Sequence, residues 1–251
     1  MQPHKIVSQE EWLAARKAHL ANEKKFTKMR DQLSEERRAL PWVKIDKAYV
    51  FDSDEGRQTL SELFGGNSQL IVYHFMFAPG DSQGCPGCSF LADHIDGADL
   101  HLAHHDVSVV AVSRAPRADF APYKKRMDWR FKWVSSNGSD FNYDFQVSHS
   151  KEQLAKGEAY YNYEPMEGDY DGELPGISVF YKNEEGDVFH TYSSYARGGD
   201  MLIGAHNYLD LTPKGRNEEG TMNWMRRHDE YEGAKRKAKS DAAPPPASCC
   251  A

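Results

Sequence analysis

Gln69-Leu-Ile-Val-Tyr-His-Phe-Met-Phe77, a short loop, and then Cys85-Pro86-Gly87-Cys88 form the stretch that decides how this chain is read. A near-continuous apolar run suits a strand covered on both faces, as in a parallel sheet. The residues after the cysteines have the pattern of a helix. Two cysteines two residues apart can close a small disulfide ring, open it, and exchange it with another thiol pair. At a helix start, unpaired backbone N–H groups and the helix dipole favour the thiolate of the first sulfur. A Cys-x-x-Cys beside a βαβ pattern therefore reads as a redox site. The same spacing also serves metal binding, so the surrounding pattern has to decide.

Outward from this centre, Ser89 to His105 reads as a helix and Val107-Ser-Val-Val-Ala-Val112 as the next buried strand. Pro116 to Met127 reads as a second crossover helix, followed by a strand around Phe131 to Ser135. From Asn137 to Gly176 aromatic, Gly, Asn and Asp residues dominate, with a short helical piece near Lys151 to Lys156. Ile177-Ser-Val-Phe-Tyr181 and Val188-Phe-His-Thr-Tyr192 then form a hairpin across Asn183-Glu-Glu-Gly-Asp187, and Met201 to Leu209 a closing helix. Upstream, Ser8-Gln-Glu-Glu11 is a capping box opening a long, mostly surface helix that Pro41 stops. Val43 to Phe51 reads as a strand or hairpin arm turning at Asp52-Ser-Asp-Glu-Gly56. Parallel strands need crossovers, and right-handed ones are expected to place helices on both faces. The order is that of an α/β, thioredoxin-like fold with a central mixed sheet.

The 251 residues carry a formal net charge of −7, with 39% hydrophobic and 27% charged residues. That suits one soluble domain with additions and a sizeable core. The acidic balance argues against a general nucleic-acid binder, and the basic run Lys235-Arg-Lys-Ala-Lys239 reads as a solvated tail. No apolar segment approaches the ~18 residues of a membrane span, and the N-terminus lacks signal-peptide zones. Four cysteines in two close pairs, Cys85/Cys88 and Cys249/Cys250, are not the economy of a disulfide-stapled secreted domain. A reducing cytoplasm is the expected compartment.

With these residues in hand, the chain resembles the thioredoxin-like superfamily. More specifically it is similar to a family of unknown function described as predicted dithiol-disulfide oxidoreductases. The matching phrases are Leu40-Pro-Trp-Val43, Tyr73-His-Phe-Met-Phe77, Cys85-Pro-Gly-Cys-Ser89, Val112-Ser-Arg-Ala-Pro116, Trp133-Val-Ser-Ser136, Phe189-His-Thr-Tyr-Ser193 and Leu209-Asp-Leu-Thr-Pro213. The resemblance implies residues 1–41 as an N-terminal helical extension and 42–231 as a thioredoxin-like domain with an insertion at about 137–176. Residues 232–251, with Pro244-Pro-Pro246, form an expected disordered tail. It also implies a cis-proline before the late hairpin, facing the disulfide. Leu174-Pro175-Gly176 holds that place, and its backbone would dock an incoming substrate strand. Two departures stand out: Gly84 replaces the Trp that thioredoxins carry before the first Cys, and the loop before Cys85 is longer.

Cys85 is the expected nucleophile, with Pro86 at the first helical position, where a missing N–H costs little. Cys88, one turn in, would resolve the mixed disulfide. Arg114, just past a parallel strand's carboxyl end, is a candidate for lowering the Cys85 pKa and reads equally as a surface ion pair. His74 holds the place where thioredoxins bury an acid below the disulfide; it is a candidate proton relay, but a satisfied core histidine is the favoured reading. His94, His101 and His105 share one helix face, with only the last two close enough for a shared metal and no third ligand in view. No cofactor and no resident metal is implied. Tyr160, Tyr161, Tyr163 and Tyr170, with Trp129 and Trp133, are candidates for a groove or for plain packing.

The leading expectation is a thiol-disulfide oxidoreductase, with a protein or small-molecule disulfide or thiol as substrate and a separate electron donor. The long N-terminal helix is a possible homodimer arm. A peroxiredoxin-like peroxidase with Cys85 as the peroxidatic thiol is second. Ser82-x-x-Cys85 echoes its loop, but Glu173-Leu-Pro-Gly176 stands where an Arg is needed to stabilise the transition state. A copper or redox-gated binding protein is third: two thiolates alone fall short of a structural zinc set but suit copper(I).

Overall fold

Ser8 caps the first helix as the sequence requires: α1 spans Gln9–Arg38, and Ser8 and Glu11 make both bonds of the capping box. No residue of α1 is buried, so its apolar stripe, including Trp12, Phe26, Met29 and Leu33, is exposed. The computed structural model describes residues 4–166, 170, 172–232 and 234. Cys249, Cys250 and all but two residues of the expected tail lie outside that set. Among the described residues no helix is long and apolar enough to cross a membrane.

The expected strand from Val43 to Phe51 is split. β1 (Val43–Lys44) and β2 (Val50–Ser53) lie at opposite ends of one sheet, and β3 (Gly56–Thr59) turns back on β2. β4 (Gln69–His74), α2 (Pro86–Ala103), β5 (Val107–Ser113), α3 (Arg117–Arg126) and β6 (Lys132–Ser135) then form two successive βαβ units. The segment between β6 and the late hairpin holds α4 (Phe141–Asp144), α5 (Lys151–Lys156) and a small ribbon of β7 (Tyr160–Tyr161) and β8 (Glu164–Pro165). β9 (Gly176–Lys182) and β10 (Val188–Tyr195) are the late hairpin. A 3-10 turn at Ala196–Leu202, α6 (Gly204–Asp210) and a last 3-10 turn at His228–Glu230 complete the order.

The eight strands run β1-β10-β9-β4-β5-β6-β2-β3. β4, β5 and β6 are parallel, while β9 is antiparallel to β4 and β10 to β9. This is the α/β, thioredoxin-like arrangement with a mixed central sheet. Helices do cover both faces, but unequally. Stepping from β4 to β5 to β6 in one direction with crossovers of one hand puts α2 and α3 on the same side. Leu91 and Ile95 of α2 and Phe120 and Tyr123 of α3 share one core cluster there. The other face is closed by short pieces, Leu63 and Phe64 of a 3-10 turn and Phe141 of α4, packed on Leu70, Val72, Val110 and Phe180.

Alternation along β4 decides what lies beneath the cysteines. Tyr73 and the following Phe75 and Phe77 face α2, whereas Leu70 and Val72 face the opposite core. His74 follows the second set and stacks on Phe141 and Phe145, with ring centroids 5.6 and 5.8 Å away.

Candidate functional site

Cys85 is the N-cap of α2 and Pro86 its first helical residue. The backbone at the cap is held from within: Ser89 Oγ donates to the Cys85 carbonyl at 2.8 Å and shares a 2.7 Å bond with the Tyr123 hydroxyl. Gly84 is explained by the same ring. A Cβ there would lie 2.7 Å from both Phe75 and Tyr123, so the aromatic core fills the space a larger residue before the first cysteine would need.

Cys85 is half-buried and Cys88 buried, both as free thiols. A hydrogen bond from the Cys88 thiol is the main stabiliser of the Cys85 thiolate. Burial opposes it, and the N–H groups of Cys88 and Gly87 and the charge of Arg227 reinforce it. The net effect lowers the Cys85 pKa from 9.0 to about 6. Burial drives Cys88 the other way, well above its ordinary value. Its bond to Cys85 and the Cys85 charge add to that rise, and a bond with the Tyr73 hydroxyl works against it. The pair is therefore divided into a half-buried sulfur that ionises readily and a buried one, one turn in, that holds its proton. That division is what exchange chemistry requires of an attacking and a resolving sulfur.

Both sulfurs line a cavity of about 150 Å³ with Tyr73, Met76, Leu91, Ile177, Ile203 and Met222. Pro175 and Gly176, at the start of β9, lie on its wall, so three elements far apart in sequence meet the cysteine loop there. The expected cis bond at Pro175 is corrected: no peptide among the described residues is cis. Trans is the favoured X-Pro state by about 0.5–1 kcal/mol. Here the turn is fastened by other means, with Leu174 N–H donating to the Val147 carbonyl and Tyr161 Oη donating to the Pro175 carbonyl, both at 2.8 Å.

The other candidates lie apart from the sulfurs. Arg114 Nε donates to Glu173 at 2.6 Å, and Glu173 is buried and also accepts from Ser148 and Asn142. Arg114 does not line the cavity. His74 is on the opposite sheet face, where its Nε2 is 2.9 Å from Ser178 Oγ and its Nδ1 has no partner. Burial, helped by the charge of His190, lowers its pKa to about 3. His94 is satisfied by the Phe90 carbonyl and the Ala205 N–H. Tyr161 and Tyr163 pack on Tyr195, whereas Trp129 and Trp133 belong to the core under α3. Among the described residues no three or more His, Cys, Asp or Glu side chains are grouped to hold a metal ion.

Sequence reasoning missed Tyr73 and Arg227. Tyr73 gave no signal of its own, because the run from Leu70 to Phe77 is apolar on both faces and only packing puts Tyr73 on the α2 side with Phe75. Arg227 gave no signal, since it lies outside any long element and reaches the cysteine loop only through tertiary packing. It donates to the Gly84 carbonyl from Nη2 at 2.7 Å and Nε at 3.1 Å.

A thioredoxin-like fold with a free dithiol at the start of its first crossover helix defines the class of this protein. The chain belongs to the DUF899 family, described as bacterial proteins of unknown function, whose model matches residues 1–231. No curated protein matches it. Among solved structures it is similar to the peroxidoxin BcpB of Mycobacterium tuberculosis, at 14% identity over 66% of this chain and 94% of that one, with a TM-score of 0.42. A PrxQ mutant of Xylella fastidiosa matches at 13% identity, 64% and 88% coverage and a TM-score of 0.42. A peroxiredoxin Q mutant of Xanthomonas campestris matches at 16%, 63% and 90%, with a TM-score of 0.42. Likeness at this level says nothing of chemistry.

Proposed function

We propose that this protein is a dithiol-disulfide oxidoreductase in which Cys85 attacks and Cys88 resolves. The observation that carries the reading is the pair itself: a half-buried Cys85 at the cap of α2, hydrogen-bonded to a buried Cys88 and open to a cavity. The Cys85 thiolate attacks one sulfur of a substrate disulfide, whose S–S bond breaks and whose second sulfur leaves as a thiolate that takes a proton from water. Cys88 then loses its proton and attacks the Cys85 sulfur. The Cys85–Cys88 disulfide forms and the second substrate thiolate is released, with two electrons passed to the substrate. An external dithiol restores the reduced pair by the same exchange in reverse. Tyr73, bonded to Cys88, favours the thiolate that resolution needs.

The test is turnover of hydroxyethyl disulfide, alongside peroxide consumption, by wild type, Cys85→Ser and Cys88→Ser. Exchange should vanish in Cys85→Ser, and Cys88→Ser should accumulate a mixed disulfide visible by mass. Peroxide turnover that survives in Cys88→Ser, without disulfide exchange in the wild type, would replace this reading with a peroxidase.

A further inference from the structure

The wall opposite the sulfurs carries information about what can enter. A polypeptide docking beside Pro175 would need free backbone groups for strand addition. Most of the groups at this turn are already engaged. Leu174 N–H is bonded to Val147, Pro175 has no N–H, and its carbonyl takes the Tyr161 hydroxyl. Gly176 is in ladder register between His74 and Tyr195. Tyr161 Oη in turn accepts from Ala196 N–H at 2.9 Å, so β7 and the turn after β10 together close this edge.

The space that remains is small and apolar. No lysine or arginine lines the cavity. Apart from the Cys85 thiolate, its charged group is Asp200, an anion already paired with Arg197 at 2.9 Å and Arg216 at 3.0 Å. Arg227, the guanidinium that acts on Cys85, spends Nε and Nη2 on Gly84 and Nη1 on Glu230. A void of roughly 150 Å³ lined by apolar side chains accepts a ring the size of benzene. The methionine walls, Met76 and Met222, suit an aromatic edge through their polarisable sulfurs.

We infer that the oxidised substrate is a small uncharged organic disulfide, one arm of which seats an aromatic or branched alkyl group in this cavity, and not a protein strand. The inference rests on the dithiol reading above and names the substrate of that same site. The sulfur attached to the seated group meets Cys85, and the other arm leaves toward solvent. A carboxylate on the seated group would be taken from water into a site with no free cation and with Asp200 beside it.

The experiment is single-turnover oxidation of the reduced full chain, read as loss of two thiols after acid quench. The oxidants are dibenzyl disulfide, its bis(4-carboxy) analogue and insulin, each rate divided by the rate of that oxidant with dithiothreitol. The neutral benzyl compound should exceed the carboxylated one by roughly tenfold to a hundredfold, and insulin should be slower than both. Met222→Lys places a cation on the wall from a half-buried residue in the stretch after α6, and should narrow the ratio at least threefold. The wild-type ratio decides the matter without that variant. A ratio near one, or insulin as the best oxidant, overturns the substrate class and leaves the dithiol chemistry standing. No oxidation by any of the three, with hydroxyethyl disulfide also inert, removes both.

Discussion

Arg227 holds the carbonyl of Gly84, the residue immediately before Cys85, with two hydrogen bonds of 2.7 and 3.1 Å. The strap that carries it is fastened on either side of the loop, by His228 to Asp93 at 2.6 Å and by Asp229 to Arg126 at 2.6 Å. Met225, from the same strap, would have its sulfur 3.8 Å from a Cβ on Gly87. A segment far along the chain therefore sets both the position of the backbone before Cys85 and part of the electrostatics of its sulfur. Arg227→Gln should raise the Cys85 pKa above its value of about 6, because a positive charge favouring the thiolate is lost. Alkylation by iodoacetamide at pH 6 should slow by about twofold to fivefold, since a rise of up to one pKa unit from a midpoint near 6 takes the thiolate from about half to about a tenth of the thiol. An unchanged titration would show that the strap is structural only.

Cys88 is the larger influence on Cys85. In the wild type, alkylation of Cys85 should titrate with a midpoint of about 6, and in Cys88→Ala the midpoint should move toward the ordinary 9.0, because the chief hydrogen bond to the thiolate is gone. The lowered pKa also couples to folding. Between pH 6 and 9 the unfolded thiol holds a proton that the folded one has released, so the reduced protein gains stability as pH rises through this window and loses it on the way down. In Cys88→Ala that pH dependence should shrink. Denaturant melts at pH 6, 7.5 and 9 on both proteins decide it.

Local signals made much of this legible. Ser8 with Glu11 and Ser150 with Gln153 are capping boxes readable within four residues. Cys85-Pro86 fixed the start of α2 because Pro suits the first helical position. What local pattern leaves open is parity and distance. The run from Leu70 to Phe77 is apolar on both sides, so nothing in it says whether Tyr73 or His74 points at the cysteines; packing against Leu91 and Phe141 decides. The stretch from Val43 to Phe51 alternates well, yet β1 pairs with β10 while β2 pairs with β6, at the two ends of the sheet. Arg227 is 143 residues from Gly84, and no spacing rule spans that interval.

Arg114 and Glu173 form a pair whose carboxylate is buried, with only 5% of its side chain exposed. The pair ties the end of β5 to the turn that leads into Pro175. Arg114→Ala would leave Glu173 buried without its cation, at a cost of about 3 kcal/mol. Arg114→Ala/Glu173→Gln should recover part of that loss, because the stranded charge is removed too. The Cys85 midpoint should stay near 6 in both variants, since Arg114 is bonded to Glu173 and absent from the cavity wall. Equilibrium unfolding together with thiol titration separates the two readings of this residue, ion pair and pKa tuner.

His74 offers a pH test of the same sign in a lower window. Burial holds it neutral, with a pKa of about 3 in place of 6.5, and His190 adds to that shift. Between those values the unfolded imidazole binds a proton that the folded one refuses. Stability must therefore fall as pH drops below 6.5, by about 1.4 kcal/mol per pH unit for this one group. His74→Gln keeps a side chain able to reach Ser178 and removes the titration. Its acid limb between pH 6 and 4 should be shallower by about one proton, while the Cys85 midpoint stays near 6, because the side chain lies across the sheet from the sulfurs. Unfolding at pH 7, 5.5 and 4.5 measures the first, and alkylation the second. A shift of the thiol titration in this variant would mean that the histidine communicates with Cys88 through the strand, and its role as a proton relay would have to be taken up again.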